Sequence, residues 1–391
     1  MIRHVNIILL LLALKTAVSI TDIASDFSWD FFKTIFMESR NIVTSGFTIR
    51  TAMTLLASTV TDRYALEQMR KGLHIHDSMT KASEQTRRQL LVLSADQDLT
   101  FGTKVFAFGT KPFNPVFLAG THYFDAAIEK RPRLNVTRLV TAADHWCNAI
   151  TSGMVKNILS PDEINPNTRL IVLNTIVMWS GWTHRFDKRD TKREIFQAAG
   201  KRFLTDMMNL PETVLNTGIY KPLNAVALEL PLRMFNSLLL IMPLTAEGNM
   251  TNLVNRLNEN EFKNLYNSLK PERIAVKLPR FSISNTINVQ YILRQLHLNA
   301  PFDWSVFQIF KDEKLPLDVV KQSVSINVNE IGVDASGKTT ASVSSRSGSK
   351  LFAANRPFVY VVVKTNKRIP LFVGHYAYPI GKQSLDDFGT S

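Results

Sequence analysis

The sequence predicts a single large α+β domain in which helices pack on mixed and antiparallel sheets and a long exposed loop interrupts the C-terminal strands. Three observations predict it. From Ser25 to Leu73 apolar residues recur at helical spacing, whereas later segments carry apolar runs of strand length. The stretch from Leu170 to Phe186 (LIVLNTIVMWSGWTHRF) opens on a continuous apolar run, the mark of a strand buried on both faces. Between Ser323–Glu330 (SVSINVNE) and Phe358–Val363 (FVYVVV) lie more than twenty residues rich in Ser, Ala, Thr and Gly. A connection of that length inside a compact domain is uncommon and usually functional or disordered.

Composition agrees with one well-filled core. The chain has 391 residues, is 45% apolar and carries a net charge of +13. Length alone would allow two or three domains. Excess positive charge permits a polyanion, and the cluster Lys188, Arg189, Lys192 and Arg193, with Lys201 and Arg202 after it, makes a sulfated polysaccharide a candidate partner. Residues 1–19 read as a secretory signal: Arg3 and His4 precede an apolar run from Ile7 to Leu14, and Ala17-Val18-Ser19 offers small residues for cleavage. That run is too short to span a bilayer, and no later window reaches the ~18 apolar residues required. A secreted, extracellular, monomeric domain over residues 20–391 is therefore expected, with neither membrane nor nucleic acid as partner. Cys147 is the only cysteine, so no internal disulfide can form. Asn135-Val136-Thr137 and Asn249-Met250-Thr251 are N-glycosylation sequons, meaningful in a secreted chain.

Taken in order, Phe27, Phe31 and Phe32 sit at helical spacing, and a second helix from Ile49 to Leu56 follows Thr48, the expected N-cap. His74 and His76 lack further ligands at metal-site spacing and read as surface histidines. A strand is expected at Val105–Phe108, then a helix over Ala143–Met154 with Trp146 and Ile150 on one face. Within the Leu170 run Asn174 is a buried amide and must find hydrogen-bond partners. Strands follow around Asp206–Met208 and Pro231–Pro243, and Val276–Phe281 starts another pair. The tail forms a hairpin around Thr365–Arg368.

The long loop is sorted by parity. Val333, Ala335, Gly337, Thr339, Ala341 and Val343 are small and uncharged; Asp334, Ser336, Lys338, Thr340, Ser342 and Ser344 are polar. A linker has no reason to alternate in this way. A segment able to become a strand, one face buried and one wet, does.

These motifs, Asn329-Glu330-Ile331-Gly332 with small residues after it, a variable loop and then Asn355-Arg356-Pro357-Phe358, resemble the hinge and reactive-centre loop of serpins. Asn41–Ser58 (NIVTSGFTIRTAMTLLAS) and Ala143–Met154 (ADHWCNAITSGM) are similar to further family segments. The resemblance implies a serpin fold, with helices around three mainly antiparallel or mixed sheets and a reactive-centre loop at about 330–356. It also implies a serine protease inhibitor. Family spacing of seventeen residues counted from Glu330 ends on Arg346, making Arg346–Ser347 the expected reactive bond, and an Arg there suits a trypsin-like protease. By the same resemblance Glu330, Gly332, Val333, Ala335 and Gly337 form the hinge. Ser45, Thr48, Asn174 and Gln322 belong to the shutter, Trp182 to the breach, and Arg280 stands near Glu330. This chain differs in having Gly46 for the usual Pro, Gln322 for a common His, His375 for Arg, Val333 for Thr or Ser, and Ser336, Gly337 and Lys338 where alanines are favoured. Gly-rich phosphate loops, zinc-type Cys/His spacing and a Gly-x-Ser-x-Gly elbow are missing, so no cofactor, metal or enzymatic site is expected. The alternative function is a non-inhibitory carrier or binding protein on the same fold.

Overall fold

The structure, a computed structural model, describes residues 23–333, 350–366, 368–381 and 384–385. Helix α1 (Ile23–Ile35) buries Phe27, Trp29, Phe31 and Phe32 completely, and the rings of Phe27 and Phe31 meet one turn apart at 5.7 Å. Strand β1 (Ile42–Thr44) leads directly into α2 (Gly46–Ala57), every residue of which is buried. This helix begins three residues before the sequence expectation. Thr48 lies inside the first turn and caps nothing, because its hydroxyl is engaged across the core. Gly46 is required where α1 crosses: a Cβ there would stand 2.5 Å from Ser28 Cα.

α3 (Arg63–Gly72) and α4 (Met79–Ser94) are capped by the Asp62 and Ser78 side chains. Strand β2 (Leu99–Phe108), α5 (Pro115–Tyr123), β3 (Ala126–Arg131) and α6 (Val136–Thr151) follow, then β4 (Leu170–Met178) and the two-residue β5 (Ser180–Gly181). All nine residues of β4 are buried, as its apolar run predicts. Next come β6 (Lys192–Ala198), the twenty-residue β7 (Lys201–Tyr220), β8 (Ala225–Pro231) and β9 (Asn236–Pro243). α7 (Met250–Arg256), α8 (Glu259–Ser268), β10 (Lys270–Pro279), β11 (Phe281–Asn288), α9 (Val289–Gln295) and α10 (Ala300–Asp303) continue the chain. It ends in β12 (Phe307–Phe310), β13 (Glu313–Leu315), β14 (Val319–Val328), β15 (Gly332–Val333), β16 (Leu351–Ala353), β17 (Phe358–Lys364) and β18 (Ile369–Tyr376).

Three sheets result among the described residues. A nine-stranded sheet runs β1-β18-β17-β9-β8-β7-β10-β16 with β6 beside β7, a seven-stranded sheet runs β3-β2-β4-β14-β15-β5 with β11 beside β14, and β12 pairs β13. The seven-stranded sheet is mixed: β4 and β14 are parallel at its centre, and β2 and β11 flank them antiparallel. The main core fills the space between the two large sheets, where Ile176, Val324, Ile326 and Val328 meet Leu240, Leu278 and Tyr360. Helices α2 to α4 cover the lower part of the same sheet face. On the opposite face, α6 lays Leu139, Ala143 and Cys147 over Ile171 and Leu173. Cys147 is fully buried and its thiol hydrogen-bonds Thr175 of β4; burial, with the Asp144 carboxylate adding to it, pushes the thiol up to about 12.

Candidate functional site

The site is the upper end of the β4–β14 seam, where the chain leaves β14. A tight turn reverses it: Gly332 N donates to Asn329 O (3.2 Å) and Asn329 N to Gly332 O (3.0 Å). The Asn329 side-chain oxygen accepts from Ile331 N (2.9 Å), the local hydrogen bonding that suits Asn to turns. Gly332 and Val333 then run antiparallel between β14 and β5, Val333 facing both Val328 and Ser180. Only glycine fits at 332, since a Cβ would lie 2.0 Å from Ser180 O. Val333 joins the main core at 1% exposure.

Three consecutive hinge carbonyls are held from one side. Trp182 Nε1 donates to Asn329 O (2.7 Å), Phe186 N to Glu330 O (3.2 Å) and Trp182 N to Ile331 O (3.0 Å). The Trp182 and Phe186 rings meet edge to face at 5.6 Å. Glu330 is itself buried. Its Oε1 accepts from Thr191 Oγ1 (2.8 Å) and lies 3.7 Å from Arg280 Nη1, while Arg280 Nη2 is 2.6 Å from Asp206 Oδ2.

Lower on the seam a polar knot ties β4, β14 and α2. Gln322 Nε2 donates among Ser45 O (2.8 Å), Thr48 Oγ1 (3.0 Å) and Asn174 Oδ1 (3.1 Å), and its Oε1 accepts from Ser45 N (3.2 Å). Thr48 Oγ1 donates to Asn174 Oδ1 (2.6 Å), and Asn174 Nδ2 reaches Thr103 Oγ1 (3.1 Å) on β2. Ser45 takes part through its backbone; its hydroxyl is buried without a hydrogen bond among the described residues. A closed knot of amides and hydroxyls in a dry core is costly to break one member at a time. It contains no group that titrates near neutrality.

The sequence pattern of the family Serpin (serine protease inhibitor) matches residues 22–379. The chain is a serpin. An FXa-directed anticoagulant of Aedes albopictus is 26% identical over 375 residues, which cover 90% of this chain and 86% of the relative. In structure it resembles a highly specific serpin, Serpin48, of the insect Tenebrio molitor, at TM-score 0.82 and 22% identity over 93% of this chain and 99% of that one. It also resembles native protease nexin-1 with heparin, at TM-score 0.82 and 22% identity over 92% and 99% of the two chains.

On this serpin fold the residues singled out in the sequence fall into two groups. Ser45, Thr48, Asn174 and Gln322 are gathered in the knot; Glu330, Gly332, Val333, Trp182 and Arg280 are gathered at the hinge. Arg346, Ser347, Ala335 and Gly337 lie outside the described residues, as does the 1–19 segment. Asn135 and Asn249 are exposed, and each caps a helix, α6 and α7, through its side-chain oxygen. Among the described residues no group of His, Cys, Asp and Glu could hold a metal, and His74 instead meets Asp30 at 3.1 Å. Lys188, Lys192 and Arg193 are exposed on the segment that carries Thr191, directly beside Glu330. The sequence reading missed Thr103, Thr191, Asp206 and Phe186, ordinary residues whose roles come from partners far along the chain. His375 is fully buried, bonded to Arg40 O at 3.1 Å, and desolvation holds it down to about 4.

Proposed function

We propose that this serpin is secreted and inhibits trypsin-like serine proteases as a suicide substrate. The protease serine attacks the carbonyl of Arg346, the bond to Ser347 breaks, and Arg346 remains as an acyl ester while the new amine of Ser347 departs with a proton from the protease's base. The freed segment then enters the seven-stranded sheet between β4 and β14. Insertion moves the tethered protease before water can release it.

The observation that carries this reading is the seating of Gly332 and Val333 between β14 and β5, antiparallel to both. Val328 and Ser180, both facing Val333, are 148 residues apart, and so are Gln322 and Asn174 lower on the seam. A strand continuing from Val333 therefore meets both sides in register, and the seam need only part sideways. That register would put Ala335 between Met178 and Ile326, Gly337 between Ile176 and Val324, and Thr339 between Asn174 and Gln322. All three share the core face with Val333, in keeping with their small size. Six β4–β14 register pairs are given up, and two ladders of that length replace one. The net gain is about six ladder bonds, on the order of 6 kcal/mol at ~1 kcal/mol each.

The opposite parity is not open to water throughout. Lys338 would arrive between Thr175, which bonds Cys147 of α6, and Ser323, both fully buried, which is a reason for insertion to be slow here.

The same proposal extends to a sulfated polysaccharide at Lys188, Lys192 and Arg193, because an anion bound there would touch the segment that holds Glu330. Incubation with trypsin tests the central claim. An SDS-stable complex and a released fragment beginning at Ser347 are expected. Clean cleavage without a complex, or a complex formed at another bond, would overturn it. Secretion would show as a mature N-terminus following Ser19, with glycans removable from Asn135 and Asn249.

A further inference from the structure

A groove of about 1290 Å³ lies between α6 and the strands β2 and β3, at the β3 edge of the seven-stranded sheet. Its floor is apolar. The Trp146 indole, which lines the groove, lies over Gly102 of β2, where a Cβ would approach Trp146 Cζ2 to 3.1 Å, so the missing side chain lets the indole seat closely against the strand. Leu134, Ala142 and Ala149 extend the floor along α6 and the turn before it. The Trp146 N–H makes no hydrogen bond among the described residues and remains available to an acceptor.

The rim is positive. Glu129 is the one carboxylate among the groove's lining residues, and two cations already hold it: Arg131 Nε at 2.6 Å and Lys104 Nζ at 3.1 Å. Although burial pushes the Glu129 carboxyl up, the hydrogen bonds from Arg131 and Lys104 outweigh it and keep it below the usual range. Arg133 and Arg138 are exposed on the same rim and meet no carboxylate within 4.0 Å among the described residues. His145 stands beside them. A concave apolar floor with a few convergent polar groups is the ordinary form of a small-molecule site. The excess cations select the sign of the ligand.

We propose that this groove binds an amphipathic monoanion: a flat aromatic or extended apolar body with one sulfonate or carboxylate. The body stacks on Trp146, and the anionic group reaches Arg133 and Arg138. This site is separate from the seam and does not depend on the inhibitory reading; Asn135, the proposed glycan acceptor, stands on its rim, so the probes are titrated before and after glycan removal.

The probes are 1-anilinonaphthalene-8-sulfonate and its uncharged analogue N-phenyl-1-naphthylamine, titrated into the full chain with fluorescence excited at tryptophan. The sulfonate is expected to bind with energy transfer from tryptophan, about tenfold more tightly than the neutral analogue, and to weaken as salt rises. The Arg133→Glu/Arg138→Glu variant should bind the sulfonate about tenfold more weakly with an unchanged melting midpoint, since neither side chain has a carboxylate partner to lose. Trp146→Leu should lower the energy transfer. Equal affinity for the charged and neutral probes in the unaltered protein overturns the proposal without recourse to any variant. So does sulfonate binding that is unchanged by the charge reversal.

Discussion

Replacing Gln322 by Met keeps the volume of the side chain and deletes the amide at the centre of the polar knot. Four contacts are lost: those to Ser45 N, Ser45 O, Thr48 Oγ1 and Asn174 Oδ1. Thr48 still satisfies Asn174, and the Ser45 carbonyl keeps the Thr48 hydroxyl and the Ile49 amide as donors, so the main penalty is the orphaned Ser45 amide, at about 1–3 kcal/mol for one buried group. Together with the other hydrogen bonds lost, and with burial of the thioether offsetting part of the cost, this leaves a loss of about 2 kcal/mol in the intact protein. With an unfolding entropy of roughly 2.1 cal/mol/K per residue, that lowers the midpoint by about 2 °C. In the loop-cleaved protein the inserted strand would hold β4 and β14 apart by a further ~4.8 Å, so Gln322 could no longer reach both Asn174 and the start of α2, and the same substitution should cost less there. Calorimetry of both variants, intact and after nicking at Arg346, measures the difference. Equal losses in the two forms would refute the claim that the seam is parted by the inserted segment, and an unaffected intact midpoint would refute the knot as a latch.

Val333→Arg places a charge in the core between Val328 and Ser180, at a cost of several kcal/mol. Cleavage at Arg346 should persist while the SDS-stable complex disappears; a complex at undiminished yield would contradict the docked hinge as the start of insertion. Lys338→Ala removes a cation that would otherwise pass beneath α6, so fewer inhibitor molecules should be consumed per protease, and an unchanged stoichiometry counts against the register given above. For His375 the folded value of about 4 lies below the ordinary 6.5. The unfolded chain therefore takes up the proton first. This contribution to stability is complete above about pH 6.5 and declines by up to about 3 kcal/mol as pH falls towards 4. Urea midpoints at pH 7.5 and 4.5 should diverge less in His375→Asn, and an identical divergence would exclude this residue as a source of acid sensitivity. The Lys188→Glu/Lys192→Glu/Arg193→Glu variant should bind heparin about tenfold more weakly at physiological salt. Unaltered elution from a heparin column would place the polyanion elsewhere.

The hinge was legible because its constraints are local. Asn329 and Gly332 make a turn with each other, and alternation along the chain survives as alternation across a sheet. Asn174 was legible in part: a polar residue inside an apolar strand must be satisfied, but nothing nearby in the chain names its partners, which stand 126 and 148 residues away. Thr48 was misjudged for the same reason. As a residue before an apolar periodic run it looks like a cap, and the competing acceptor on β4 cannot be seen from the chain. Gly46 reads locally as a loss of rigidity, yet its cause is a helix crossing at Ser28. Thr191 and Asp206 carry no signal of their own, since each matters only through a carboxylate or guanidinium brought in by another strand.

The single cysteine adds a practical consequence. Cys147 rests thiol-down on Thr175, shielded by the helix that lies over the seam, and at about 12 it holds almost no thiolate at neutral pH. Any event that prises that helix from the strand beneath would wet the sulfur and lower its threshold for alkylation. The chain thus carries a one-atom stopwatch: the rate at which it takes up iodoacetamide would time the passage of the severed segment, with no label added.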